Sequence, residues 1–177
     1  MVREIRARQS RSIVLLPARL VLAAFYDTTR DAAQAQASHH AATGGAATVA
    51  GGLQNEATGE ESTVGGGYDN TAEATEATVS GGSGNWAHSN GTVVGGGAAN
   101  LAWDSYSTVG GGYTNQAWGY AATVGGGYTN QAWGYAATVP GGESNSADGD
   151  YSFAAGRRAD ASGQGCFVWG DSTDGSV

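Results

Sequence analysis

TVGGGYTNQAWGYAA fills positions 108–122 and returns unchanged at 123–137. Extending the phase gives starts at Thr48, Thr63, Thr78, Val93, Thr108, Thr123, Thr138 and Phe153. The reading is a period of fifteen throughout, with seven good copies and one degenerate copy. A partial copy, HAATGGAA, precedes them at 40–47. Self-similarity at a short fixed period is the signature of a repeat architecture, in which each unit buries its apolar face against its neighbours.

The constant slots carry the physics. Slot one is Thr in six copies and slot two is Val in all seven, from Val49 to Val139. Slots four and five are Gly-Gly in all seven. Slot eight is always Asn (Asn55, Asn70, Asn85, Asn100, Asn115, Asn130, Asn145), and slot ten is always Ala, from Ala57 to Ala147. Slot fifteen is small: Ser62, Ala77, Thr92, Ser107, Ala122, Ala137, Ser152. Fifteen residues are too few for a pair of helices, and glycine at this density costs about 1 kcal/mol per helical site.

Two short strands and two turns per copy fit instead. One strand is A-T-V and the other runs through N-x-A-x-G. Gly-Gly supplies the positive φ of the turn between them. Stacked copies then form an all-β, parallel β-solenoid, with the roll expected over 40–167 and a tail over 168–177. Alternation places the slot-two Val and the slot-ten Ala inward, facing across a thin core. The Asn column either bonds up and down as a structural ladder or caps the turn backbone. Eight coils at about 4.8 Å each give a rod of roughly 40 Å. So thin a roll buries little apolar surface per residue, which points to self-association.

Composition agrees. Of 177 residues 31 are Gly and only 2 are Pro, which excludes collagen. Ile, Leu, Val and Phe together make about 14% of the chain, far fewer than an ordinary globular core uses. Small residues buried cooperatively in a repeat reconcile that number with a fold. Lys is absent, and residues 48–152 hold ten carboxylates and no cation. Nucleic acid needs a basic face, so that class is excluded. One cysteine, Cys166, allows neither an internal disulfide nor a Cys-based zinc site.

Residues 1–39 stand apart as a non-repeat leader. A basic start, MVREIRARQSRS, leads into the apolar run Ile13–Phe25, interrupted by Pro17 and Arg19, and then a polar Ala-rich stretch with A-x-A at Ala35 and Ala37. The layout is that of an export signal; a helical cap or an unstructured leader are the other readings. The run is shorter than the ~20 residues of a membrane span, so no membrane span is expected.

The repeated A-T-V-G-G-G-Y-x-N-x-A-x-G, followed by ATVPGGESNSADGDYSFAAGRRADASGQGCFVWGDS at 137–172, resembles the head repeats of YadA-like trimeric autotransporter adhesins and the related repeats of tail-fibre-like proteins. The resemblance covers residues 40–172. It implies a left-handed β-roll, three of which pack as a homotrimer, and an extracellular, cell-surface location. No heptad pattern is present in the sequence, so the chain reads as a head segment.

The residues offered for binding are aromatic. Trp103, Trp118 and Trp133 share slot eleven, Tyr120 and Tyr135 slot thirteen, Tyr113 and Tyr128 slot six, with Tyr68 in the same column. Slot eleven points outward if slot ten points inward, so the indoles should stack one coil apart. Such a strip serves either as an adhesive surface for an extracellular protein or glycan ligand or as a trimer interface.

Asp148 with Asp150, and Glu60 with Glu61, do not follow the nonapeptide pattern of calcium-binding rolls, so no metal or cofactor is expected. The three His residues sit in the leader (His39, His40) or in a variable slot (His88), and no nucleophile or phosphate-loop motif is present, so the chain is read as a non-enzyme. The expected function is adhesin-head-like attachment through many weak contacts. The alternatives are a structural fibre or virion tail-fibre module without its own ligand and, remotely, an ice-binding solenoid using the Thr column.

Overall fold

The computed structural model describes residues 40–171. The expected leader over 1–39 and the end of the expected tail, 172–177, lie outside the described residues. Within them the protein is an all-β parallel solenoid with no helix. Among the described residues no helix is therefore long and apolar enough to cross a membrane.

Each coil contributes two strands of two residues, because only Thr-Val and x-Ala lie between positions that force the chain to turn. The x-Ala strands build a nine-stranded sheet from Ala41–Ala42 to Asp160–Ala161, hereafter the alanine sheet. The Thr-Val strands build the opposite sheet, the valine sheet, from Thr48–Val49 to Thr138–Val139, continued by Phe153–Arg157 and then Phe167–Gly170. Every strand pairs in parallel with its equivalent one coil away, as in Thr108↔Thr123 and Gln116↔Gln131. The second strand is shorter than N-x-A-x-G, since Asn lies at the corner before it. A third pairing recurs at slot six, where single bridges join Leu53 to Tyr68 and onward to Glu143.

The core matches the alternation. Val64, Val79, Val94, Val109, Val124 and Val139 are fully buried against Ala57, Ala72, Ala87, Ala102, Ala117, Ala132 and Ala147. Slot fifteen is also inside: Ser62, Ala77, Thr92, Ser107, Ala122, Ala137 and Ser152 are all buried. With the buried Asn of slot eight the interior is thus four columns, three of them of small residues, and each valine withdraws about 2 kcal/mol worth of apolar surface from water.

The corners decide which residues face out. At slot five a side chain is excluded twice over. Gly112 has φ of 88°, and a Cβ there would lie 2.3 Å from the carbonyl oxygen of Gly127. Two further corners use left-handed backbone mostly on residues other than glycine: at slot seven Gln54, Asp69, Thr114 and Thr129, and at slot fourteen Glu61, Tyr106, Ala121 and Tyr151, all have φ between 53° and 61°.

The period of fifteen does not hold to the end. Phe153 pairs with Phe167, and Ser146 with Asp160, each fourteen residues on. Thr138 pairs with Phe153 but Gly142 with Gly156, so the residue is lost between the first and fifth slots. Without it the kink after the valine position disappears. Phe153–Arg157 runs as one strand of five residues, and Phe167–Gly170, crossing the expected start of the tail, lies against it.

Candidate functional site

Because Ala of slot ten points inward, slots nine and eleven on either side of it both project from the outer face of the alanine sheet. Trp103, Trp118 and Trp133 stand in one column there. Trp118 and Trp133 stack with ring centroids 4.8 Å apart and planes within 1°, and Trp103 lies 5.2 Å from Trp118, tilted by 39°. The spacing is that of the coils, so the backbone ladder sets the indole stack.

The column is longer than its tryptophans. His88, in the same slot one coil earlier, stacks on Trp103 at 3.9 Å and 20°. Trp86, two residues before it in slot nine, meets both rings edge-on, at 5.1 Å from His88 and 5.8 Å from Trp103. Reading columns one slot at a time missed both residues. The signal was available: two residues apart on one strand means the same face.

Polar groups tie the rings down. Trp118 Nε1 donates to Gln116 Oε1 at 2.9 Å and Trp133 Nε1 to Gln131 Oε1 at 3.1 Å, each across slots eleven and nine of its own strand. Glu73 ends the column on the amino-terminal side. Its Oε2 accepts from Trp86 Nε1 at 3.0 Å and lies 2.7 Å from His88 Nδ1. Glu56, Thr58, Thr71, Glu73 and Trp86 line a shallow concavity at that end. At the other end Asp148 follows Trp133 in the column, exposed, its Oδ1 taken by Ser146 Oγ.

The tyrosines form separate columns. Tyr120 and Tyr135 stack at 5.3 Å on the turn after the alanine strand, with Tyr106 and Tyr151 edge-on at either end. Tyr113 and Tyr128 stack at 5.7 Å at slot six, on the segment between the two sheets, and are 53% and 50% exposed. The eight aromatics singled out in the sequence, Tyr68 of slot six included, therefore occupy three segments of the coil and do not merge into one strip.

The Asn column is wholly interior. Asn115 Nδ2 donates to Gly111 O in its own coil and to Gly127 O in the next, both at 2.9 Å, and its Oδ1 accepts the Asn130 N–H. Each Asn thus caps the Gly-Gly turns of two coils. Direct side-chain bonds between Asn residues are added in three places, at Asn55–Asn70, Asn85–Asn100 and Asn130–Asn145.

The Asp and Glu pairs are spread rather than gathered: Asp150 Oδ1 accepts the Tyr135 N–H at 2.9 Å. Among the described residues no three His, Cys, Asp or Glu come together in a group that could hold a metal ion.

Fold and surface together define the class: a parallel β-solenoid repeat protein with outward aromatic columns. No protein-family model matches the chain, and no curated protein matches it.

Proposed function

We propose that the roll is a non-enzymatic, extracellular attachment module of the adhesin-head kind, working as a homotrimer resembling the YadA-like heads. The observation that carries this reading is the division of labour between side chains. Among the described residues the fully buried side chains are Val, Ala, Ser, Thr and Asn, and the large aromatics are spent outside. Trp133 is 46% exposed although it adds nothing to the interior. Exposed Trp and Tyr on a rigid scaffold are the residues that dominate binding interfaces.

Repetition supplies the mechanism. Stacked rings one coil apart offer weak contacts in series, and three copies of a rod multiply them through effective concentration. Light scattering of the full chain after size exclusion, paired with binding to immobilised matrix proteins and glycans, tests both halves. A mass of three chains together with retention on some of those surfaces supports the reading. A trimer that adheres to none of them reduces the roll to a structural fibre segment, and a folded monomer removes the trimeric head.

A further inference from the structure

The outer face of the alanine sheet is an aromatic surface with a carboxylate at each end. We propose that this face docks an extended basic polypeptide, its cationic side chains held at Glu73 and at Trp133–Asp148. The inference rests on the attachment reading above and names the partner that reading leaves open.

Ring geometry argues for a cation. Inside a stack the indole faces are covered: Trp118 lies between Trp103 and Trp133. The indole N–H groups of Trp86, Trp118 and Trp133 are already bound to Glu73, Gln116 and Gln131. A neutral sugar, which needs an open ring face and donors at its rim, finds neither along the middle of the column. The ends differ. Trp133 has Trp118 on one face, while the next position in the column holds the Asp148 carboxylate. A guanidinium laid on the open face meets the ring quadrupole and a carboxylate together, the arrangement that favours Arg most.

The amino-terminal end offers the second place. Glu73 uses Oε2 for Trp86 and His88, and Oε1 has no protein partner among the described residues. Glu56 faces the same concavity. His88 can offer Glu73 Oε2 a positive charge only when protonated, and no Lys or Arg occurs from 48 to 152, so Glu73 Oε1, Glu56 and Asp148 are left to a cation from outside this stretch.

Spacing then specifies the partner. Glu73 and Asp148 are five coils apart, about 24 Å at ~4.8 Å per coil. An extended chain advances about 3.4 Å per residue, so the two cations should stand about seven residues apart. The exposed edges of Trp103 and Trp118 lie under the intervening residues.

Fluorescence anisotropy with the full chain tests this. The probe is a labelled Ser/Thr-rich peptide carrying two Arg seven residues apart, and the control is the same peptide with Gln at both positions. The Arg probe should bind at least about tenfold more tightly than the Gln control, and more weakly as salt rises. Glu73→Gln, Asp148→Asn and Trp133→Ala, all on the surface, should each weaken it about tenfold; all three should still melt cooperatively as a folded roll, with only Trp133→Ala, which loses a stacked ring, melting at a slightly lower temperature.

Equal affinity for the two peptides, or indifference to all three substitutions, overturns the proposal. So does neutral-glycan binding that Trp133→Ala abolishes while Glu73→Gln and Asp148→Asn leave it intact. A fall in assembly mass on Trp133→Ala would show a second copy of the chain on this face instead. If the Arg probe fails while a matrix surface is still bound, only this inference falls. If the chain binds neither, the attachment reading falls with it.

Discussion

The backbone N–H of Asn130 donates to the side-chain oxygen of Asn115 across 3.0 Å. One amide side chain in each coil is thereby bound by the main chain of the next. The same side chain gives both its N–H bonds to glycine carbonyls of two successive turns. Asn115→Ala leaves Gly111 O and the Asn130 N–H without this partner and Gly127 O with the Tyr113 N–H alone, and at about 1 kcal/mol or more per orphaned group it should cost about 2–3 kcal/mol. Asn115→Asp keeps the acceptor but cannot donate, and brings a carboxylate up to two carbonyl oxygens. It should destabilise at least as much at neutral pH. Urea denaturation of the two variants checks this, and a loss under 1 kcal/mol in both would show that the column is dispensable.

Glycine is needed at some corners and merely tolerated at others. Gly112→Ala places a Cβ 2.3 Å from Gly127 O at a φ of 88° and should unfold the roll or cost several kcal/mol. Gly84 also has positive φ, 64°, but nothing lies within 4 Å of a Cβ there, and Gln54, Thr114 and Thr129 adopt this conformation at the same slot. Gly84→Asn should change stability by less than about 0.5 kcal/mol. Thermal melts of the pair decide it.

Slot fifteen is filled interchangeably by Ser, Thr and Ala, but not at equal cost. Ser62 Oγ donates to Gly59 O at 2.8 Å, whereas Ser107 Oγ is buried without a hydrogen-bond partner. Ser107→Ala should therefore raise stability by about 1 kcal/mol, and Ser62→Ala should not. Equal effects in denaturation of both variants would mean that the Ser107 hydroxyl is satisfied after all.

The stacked indoles have an optical consequence. Trp118 and Trp133, parallel within 1° at 4.8 Å, are close enough to couple electronically. Parallel transition dipoles give no exciton couplet, so circular dichroism of the full chain should show one from the tilted Trp103–Trp118 pair, 5.2 Å and 39° apart, that Trp118→Ala removes and Trp133→Ala leaves. Stability should fall by only about 0.5–1.5 kcal/mol, because the pair lies on the surface. A couplet that survives Trp118→Ala would place the coupled rings at Trp86 and Trp103, which meet edge-on at 5.8 Å.

Residue patterns disclosed the solenoid because its inward positions are invariant: Val at slot two and Ala at slot ten leave no other alternation. The Asn column was readable for the same reason, as a ladder or as turn capping. Other features leave no such trace. Left-handed backbone at Gln54 or Tyr106 has no compositional mark, since the turn is imposed by stacking on the coil before it. The fourteen-residue coil is hidden by a Gly-Arg-Arg stretch that lacks the paired glycines which fix the phase elsewhere. His88 and Trp86 joined the tryptophan column unannounced, because slots nine and eleven vary independently in sequence and share a face only in space.

The two unchanged copies permit a deletion that separates register from composition. Removing 108–122 joins Ser107 to Thr123, and every slot keeps its neighbour: Thr123 meets Val93 where Thr108 did, and Asn130 meets Asn100 where Asn115 did. Stability in a stacked array is a sum of nearest-neighbour terms, so the shorter roll should fold cooperatively with one coil interface fewer. Removing Thr114 alone should do far more harm. It pulls Asn115 out of its turn, and a one-residue slip carries Ala117 from the inner to the outer face. Removing Gly110 should fall between the two. It lies before the fifth slot, in the segment where the last coil dispenses with a residue and still stacks, at Gly142↔Gly156 and Phe153↔Phe167. Thermal unfolding of the three deletions should rank them 108–122, then Gly110, then Thr114. Equal damage from the two single deletions would mean that the fourteen-residue coil survives only because it is terminal.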